Sequence, residues 1–167
     1  KYFFHYQLRY MYWRYFMWNF AGRQDDLQGT PGNERMNGDW LSGISVVDNM
    51  HLSGTQEGLP DVLLKEKARN NFYLLPLILG LIGLIYMYQK NKQQTIVFGL
   101  LFFVTGIALI IYTNQPPREP RERDYVLVGS FYTFCIWIGL AVVAIFDFLR
   151  KKIPAAPIAI GITVICL

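Results

Sequence analysis

Four long stretches without charged residues dominate the pattern of hydrophobic and polar positions along the chain. Three of them are internal, with 20, 25 and 22 residues, at 70–89, 93–117 and 125–146. A fourth follows Lys152 and continues to the last residue. Because about 20 apolar residues in a helix cross the hydrocarbon layer of a membrane, the pattern predicts an all-α membrane protein with several transmembrane helices.

Turn and interface residues set the boundaries of these helices. The polar run 89–94 (QKNKQQ) predicts an antiparallel helical hairpin, and the tandem prolines Pro116 and Pro117 end the second span because proline lacks an N–H donor. Tyrosines lie at the predicted membrane interfaces, as aromatic belts do. The predicted spans are 72–88, 95–112, 126–149 and 154–167, the last of them truncated, within a transmembrane region over 72–167.

The first 21 residues are predicted to form a helix of a different kind. Residues 1–20 hold eleven Phe, Tyr or Trp residues, interrupted by cationic and amide side chains. Rings with polar edges and long cationic side chains favour the headgroup layer, where the ring is half-buried and the cation stays hydrated. We therefore interpret 1–21 as an interfacial aromatic helix or the end of a span. A lid over a lipid-linked substrate is the functional alternative.

Residues 22–71 form the one long polar stretch, and we expect it to be an extramembrane loop. Its frequent glycines and prolines exclude a long helix. The segment 40–46 is interpreted as a short strand or a buried turn, and 63–69 as a polar helix leading into the first span. A structureless loop of this length is uncommon unless it is functional or disordered. Apolar residues within it argue against disorder, so we expect it to fold against the membrane surface.

Composition and charge agree with this assignment. The chain is 53% hydrophobic and 17% charged, with a mean hydropathy of +0.21 and a net charge of +4. Soluble domains carry about 25% charged residues. The cations cluster at the ends of apolar runs, so they indicate a lipid bilayer as partner and argue against nucleic acid. Lys and Arg counts on the two sides are nearly equal, and we place the short acid-free turns at 89–94 and 150–153 in the cytoplasm.

The densest polar motif lies between the second and third spans. It contains Arg118, Arg121, Arg123 and Asp124 together with two glutamates. Three guanidinium groups next to a membrane face could bind a phosphate group in a bidentate manner. The alternative is a solvated loop in which the three arginines pair with the neighbouring acids.

A second candidate lies directly after the aromatic helix. Arg23, Asp25 and Asp26 form a short charged turn, and neighbouring carboxylates can share a divalent metal ion or a proton. The alternative is a solvated turn or a helix cap. His5 and His51 are 46 residues apart and have no partners at ligand spacing, so the sequence predicts no zinc site, and it supports no other metal or cofactor.

One acidic residue, Asp147, lies near the end of the third predicted span. An acid at membrane depth is a functional candidate. Here a local ion pair with the basic residues 150–152, three to five positions further on, is the simpler interpretation.

Three stretches of the chain resemble a known family. They are 10–26 (YMYWRYFMWNFAGRQDD), 39–45 (DWLSGIS) and the most specific, 114–125 (NQPPREPRERDY), which continues with GSFY at 129–132 and IWIG at 136–139. Together they resemble the large multi-pass membrane proteins of glycosyltransferase family 117. These proteins are found mainly in Bacteroidetes and are related to a eukaryotic transmembrane protein O-mannosyltransferase.

The resemblance implies a C-type glycosyltransferase architecture in the bacterial inner membrane. Such an enzyme transfers a sugar from a polyprenyl-phosphate donor to a protein or glycan acceptor on the periplasmic side. The acidic Trp-Asp-x-Gly-Glu-like motif linked with catalysis in the family has no counterpart here. Because the chain starts at Lys1 without a signal peptide and ends within a predicted span, we expect an internal fragment whose general base lies upstream.

A non-enzymatic function is the alternative. The same pattern of spans and an outer loop would suit a membrane scaffold or a glycan-export component whose outer loop binds partners. An acidic pair in a first outer loop upstream of Lys1 would favour the enzyme. A transporter is disfavoured, because Asp147 is the one charged residue within the predicted spans and lies near an end.

Overall fold

The computed structural model describes residues 2–27, 38–52, 54–56, 58–114 and 124–150, and they are mostly helical. The first helix, α1, has π-helical hydrogen bonding over Tyr2–Arg14 and continues as an α-helix over Tyr15–Phe20. The other helices are α2 (Ser45–His51), α3 (Asp61–Leu64), α4 (Leu75–Lys90), α5 (Lys92–Thr113, with a π-helical turn at Val104–Ala108) and α6 (Asp124–Arg150). Two short strands, β1 (Gly22–Arg23) and β2 (Asn70–Asn71), pair antiparallel.

The three long helices correspond to the first three predicted spans. Two of them are long and apolar enough to cross a membrane: Lys92–Thr113 with 22 residues and Tyr125–Arg150 with 26. Helix α4 is apolar but has only 16 residues and begins three residues later than predicted. The all-α expectation is confirmed at this level. The fourth predicted span, 154–167, lies outside the described residues.

Contacts between the long helices define their directions. Along α4, Gly80 faces Phe134, Gly83 faces Trp137, and the Tyr86 hydroxyl binds Asp147, so α4 and α6 run parallel. Along α5, Phe102 packs on Trp137 whereas Thr105 lies against Gly129, so α5 runs antiparallel to α6. The start of α4, the end of α5 and the start of α6 therefore lie at the same end of the three-helix bundle.

Helix α1 packs on this bundle through its aromatic residues. Phe16 and Phe20 contact Phe134 with ring centroids 4.8 and 4.5 Å apart. The Tyr12 hydroxyl and the Ser130 hydroxyl are 2.7 Å apart, both buried. Part of the remaining surface of α1 packs on the polar module through Arg14, and Trp13 is exposed. The aromatic content of 1–21 thus supplies a large part of the core that joins α1 to α5 and α6.

Residues 22–27, 38–52, 54–56 and 58–73 form a small polar unit, which we call the polar module. Gly22 and Arg23 pair with Asn71 and Asn70, and Arg23 also bridges to Trp40, so three segments distant in sequence meet. Gly22 has a φ of +126°, and a Cβ there would lie 2.4 Å from the Leu41 carbonyl oxygen. This close approach requires glycine.

A buried carboxylate orders the centre of the module. Asp48, on α2, accepts hydrogen bonds from the Ser42 N–H at 2.8 Å, the Ser42 hydroxyl at 2.7 Å and the Gly43 N–H at 2.9 Å. These three bonds satisfy the polar groups of a buried turn that joins Trp40 to α2. The polar stretch 22–71 is therefore folded over its described parts.

The two local predictions for this stretch have different outcomes. The segment 40–46 is not a single strand, because Trp40 is in a β-bridge, the buried turn follows it and α2 begins at Ser45. The predicted helix at 63–69 is wrong, because the single turn α3 ends at Leu64 and further turns, one of them closed by the Arg69 N–H to the Glu66 carbonyl, lead into β2. Strand pairing with β1 outweighs the local helical preference there.

Candidate functional site

The residues of the arginine-rich motif can be placed only by what flanks them. Arg118, Arg121 and Arg123 lie outside the described residues, and Asp124 is the first residue of α6. The described residues that flank the arginines, Asn114 after α5 and Asp124 at the start of α6, lie at the same end of the bundle as the polar module. At that end the Gln7 amide donates a 2.7 Å hydrogen bond to the Asn114 side chain.

The charged turn after α1 separates its two carboxylates. Asp26 is exposed and pairs with Arg23 at 2.8 Å. Asp25 is buried, not solvated, and accepts hydrogen bonds from the backbone N–H groups of Leu27 and Gly38. Burial raises the pKa of Asp25, against the effect of these two bonds. Because the two carboxylates have different partners, their arrangement does not support a shared metal ion.

A cavity of about 200 Å³ lies between α1 and the segment 38–51 of the polar module. Four side chains that can carry positive charge line it: His5, Arg9, Arg14 and His51. Three aromatic rings (Tyr10, Trp13 and Trp40) and the carboxylate of Asp39 complete its walls. The lining is therefore mainly cationic and aromatic, with one acid among the described residues.

The π-helical winding of α1 explains why so many of these side chains share a cavity. In an α-helix of 3.6 residues per turn, positions 5, 9, 10, 13 and 14 spread around half of the circumference. The i→i+5 hydrogen bonding of a π-helix needs more residues for each turn, so side chains four and five positions apart come to lie on one face.

Arg14 joins α1 to the polar module. Its guanidinium donates to the Gly38 carbonyl and to the Tyr10 carbonyl, and it lies 4.4 Å from the centre of the Tyr10 ring and 5.5 Å from that of Trp18. The residue is 4% exposed. Burial lowers the pKa of Arg14, and the nearby Asp39 carboxylate opposes that change. Arg14 therefore has a structural role and also contributes positive charge to the cavity.

The opposite wall of the cavity is a stacked pair of rings. Trp40 and His51 lie parallel, with centroids 3.7 Å apart and an interplanar angle of 6°. The Nδ1 atom of His51 is 3.1 Å from the Val47 carbonyl oxygen, and its Nε2 atom is 3.0 Å from that of Trp40. These two contacts and the stack on Trp40 hold the His51 ring in place on this wall.

At the other end of the bundle, Asp147 is paired between helices. It accepts a 2.6 Å hydrogen bond from the Tyr86 hydroxyl and lies 3.5 Å from the Lys90 ammonium nitrogen. Of the expected local partners at 150–152, Arg150 contributes favourable charge to Asp147, and residues 151 and 152 lie outside the described residues. Asp147 therefore fastens α4 to α6, and its contacts are structural.

The cavity is the part of the site that the sequence analysis did not find. His5 and His51 were considered only as zinc ligands, and the 46-residue spacing argued against that role. One signal was present, since His5, Arg9 and Trp13 recur every four residues within an aromatic helix. Over the described part of the chain, no group of three or more His, Cys, Asp or Glu side chains could hold a metal ion.

Comparisons of this chain with protein-family models, with curated proteins and with solved structures give no match. The resemblance to glycosyltransferase family 117 therefore depends on the quoted sequence stretches alone.

Proposed function

We propose that the chain is part of an integral membrane glycosyltransferase, of the C type and similar to family 117. It would transfer a sugar from a polyprenyl-phosphate donor to a protein or glycan acceptor on the periplasmic face of a bacterial inner membrane. The observation that supports the proposal is that the polar module, the end of α5 and the start of α6 lie at one end of an apolar helix bundle.

The exposure of the long helices supports a position in the membrane. In α5, only 11% of the most apolar 18-residue window is buried, and in α6 the buried share is 33%. An apolar helix in the core of a soluble protein would be mostly buried. Contact with lipid removes the cost of exposing this surface to water.

The chemistry of sugar transfer requires groups that this end of the bundle can provide. As the bond between the sugar and the lipid phosphate breaks, negative charge develops on the phosphate, and guanidinium groups stabilise it. Arg118, Arg121 and Arg123 are the candidates for that role. The acceptor hydroxyl also needs a carboxylate base, and the acidic motif linked with catalysis in the family has no counterpart in this chain.

The test is transfer of a radiolabelled sugar from a polyprenyl-phosphate donor by the purified full-length protein, with membrane proteins as acceptors. We expect Arg121→Gln and Arg123→Gln to lower turnover at least tenfold while insertion and folding are unchanged. Arg150→Gln, at the opposite end of the bundle, is the matched control and should retain activity. Unchanged transfer in the Arg121 and Arg123 variants would contradict the assigned role.

A scaffold or glycan-export component is the second candidate. It is favoured by the exposed apolar side chains on α2, where Val46 is 71% and Met50 81% exposed. Such a patch is typical of a surface that binds another protein. Absence of transfer with several donors, from folded protein, would favour this function.

A further inference from the structure

The cavity between α1 and the polar module has no assigned ligand, and its chemistry restricts what it can bind. Its described lining carries the guanidinium groups of Arg9 and Arg14 and the imidazole rings of His5 and His51, against the single carboxylate of Asp39. The Arg9 side chain is exposed, and no hydrogen bond or ion pair joins it to another residue that the structure describes. Guanidinium groups match the geometry of phosphate oxygens. The charge therefore favours a phosphate-bearing anion.

The aromatic walls indicate a second property of the ligand. The Trp13 indole is half exposed, and Trp40, across the cavity, is held by its stack on His51. Ligand pockets combine such apolar faces with a few polar groups that fix orientation. The ligand should therefore have a ring with an apolar face as well as a phosphate, and Asp39 can accept a hydrogen bond from a ring hydroxyl.

The size of the cavity separates the possible ligands. Its volume of about 200 Å³ equals that of about seven water molecules at about 30 Å³ each. Pockets for drug-sized ligands begin at about 300 Å³. One monosaccharide ring with its phosphate is of suitable size, whereas the base, ribose and second phosphate of a nucleotide sugar would extend beyond the cavity.

Resting on the proposed function above, we propose that this cavity binds the glycosyl-phosphate headgroup of the lipid-linked donor, with Arg9 and His5 at the phosphate and Trp13 and Trp40 at the sugar ring. Different side chains then bind the phosphate and the sugar ring of the ligand. The phosphate contacts account for most of the affinity, and the indoles add the preference for a sugar.

The experiment is calorimetric titration of the purified membrane protein with three kinds of probe. They are inorganic phosphate, a panel of sugar 1-phosphates (glucose, mannose, galactose and N-acetylglucosamine), and a short-chain polyprenyl-phosphate sugar. Arg9→Gln should weaken binding of the sugar phosphate about tenfold or more, as expected for a hydrogen bond to a charged group. Trp13→Leu should remove the preference over inorganic phosphate but leave phosphate binding intact. Arg150→Gln should bind as the wild type.

Three results would overturn the proposal. One is equal affinity for sugar phosphate in wild type and Arg9→Gln, and another is the absence of any preference over inorganic phosphate. The third is failure of the polyprenyl-phosphate sugar to compete with a bound sugar 1-phosphate, which would make a free sugar phosphate the ligand. Transfer activity separates this proposal from the proposed function, since full activity in a non-binding Arg9→Gln variant would refute the cavity assignment alone.

Discussion

The contact between α4 and α6 makes a quantitative prediction about Gly83. A Cβ atom added there would lie 1.7 Å from the Trp137 carbonyl oxygen, 2.6 Å from its carbon and 3.1 Å from the Ala141 nitrogen. Ordinary contacts begin at 3.4 Å, and all three neighbours are backbone atoms of α6. Gly83→Ala must therefore move one helix away from the other, as expected where small residues let helices approach closely.

The loss in stability can be worked out from the van der Waals contacts that this movement weakens. One pair of non-bonded atoms in contact contributes about 0.1 kcal/mol of dispersion energy, and a gap of about 1 Å removes a quarter to a half of it. With about 40 to 60 such pairs for each of Phe134 and Trp137, the loss is about 2–6 kcal/mol. Alanine has a higher helix propensity than glycine, which offsets about 1 kcal/mol of this loss. The net prediction is a destabilisation of about 1–5 kcal/mol.

Thermal unfolding in detergent, followed by circular dichroism and tryptophan fluorescence, measures this effect. Gly99→Ala and Gly139→Ala are the matched controls, because a Cβ at either position has no neighbour within 4 Å. We expect these controls to be neutral or slightly stabilising. Gly80→Ala should fall between them and Gly83→Ala, since its neighbour is the movable ring of Phe134. A Gly83→Ala variant as stable as Gly99→Ala would refute the close parallel packing.

Three other predictions concern stability and order. Asp48→Ala should lower the free energy of unfolding by about 3 kcal/mol, because three donors lose their acceptor. The loss should be seen as faster hydrogen exchange in the polar module. Asn49→Ala, at an exposed position, should leave the exchange rates unchanged. Burial raises the pKa of Asp25 above its ordinary 3.8, so the ionised carboxylate destabilises the fold. The Tm of the wild type should therefore fall relative to that of Asp25→Asn as the pH rises from about 4 to 7. A difference in Tm that is constant over this range would contradict that sign. Tyr86→Phe should lower the Tm through loss of the hydrogen bond to Asp147, and Tyr88→Phe, on the exposed side, should not.

The long helices were predictable because their signal is local. A run of 20 uncharged residues and the QKNKQQ turn are sufficient to predict α5 and α6 within a few residues. The start of α4 was less accurate, since Tyr73 and Leu74 adopt left-handed conformations with φ of 51° and 58°. Such conformations are rare for these residue types, and the pairing of β2 with β1 that surrounds them involves residues 47 or more positions apart.

The candidate cavity was not predictable for the same reason. Its lining depends on the π-helical winding of α1, which gathers His5, Arg9 and Trp13 on one face. It also depends on a turn that brings Trp40 and His51 to that face from more than 25 residues away. The four-residue spacing of His5, Arg9 and Trp13 is a local signal, but it indicates neither the π-helical winding nor the distant turn. The arginine-rich motif was recognisable from its composition alone.

The central claim is that the polar module and the arginine-rich segment face the same side of a membrane, where they form one donor site. Labelling with a membrane-impermeant maleimide tests it directly, using Ser45→Cys, Gln93→Cys and Tyr125→Cys singly in a background with both native cysteines replaced by serine. The account predicts that Ser45→Cys and Tyr125→Cys are labelled from the periplasmic side, and that Gln93→Cys is labelled only after the membrane is permeabilised. Labelling of Ser45→Cys and Tyr125→Cys from opposite sides would contradict the shared site.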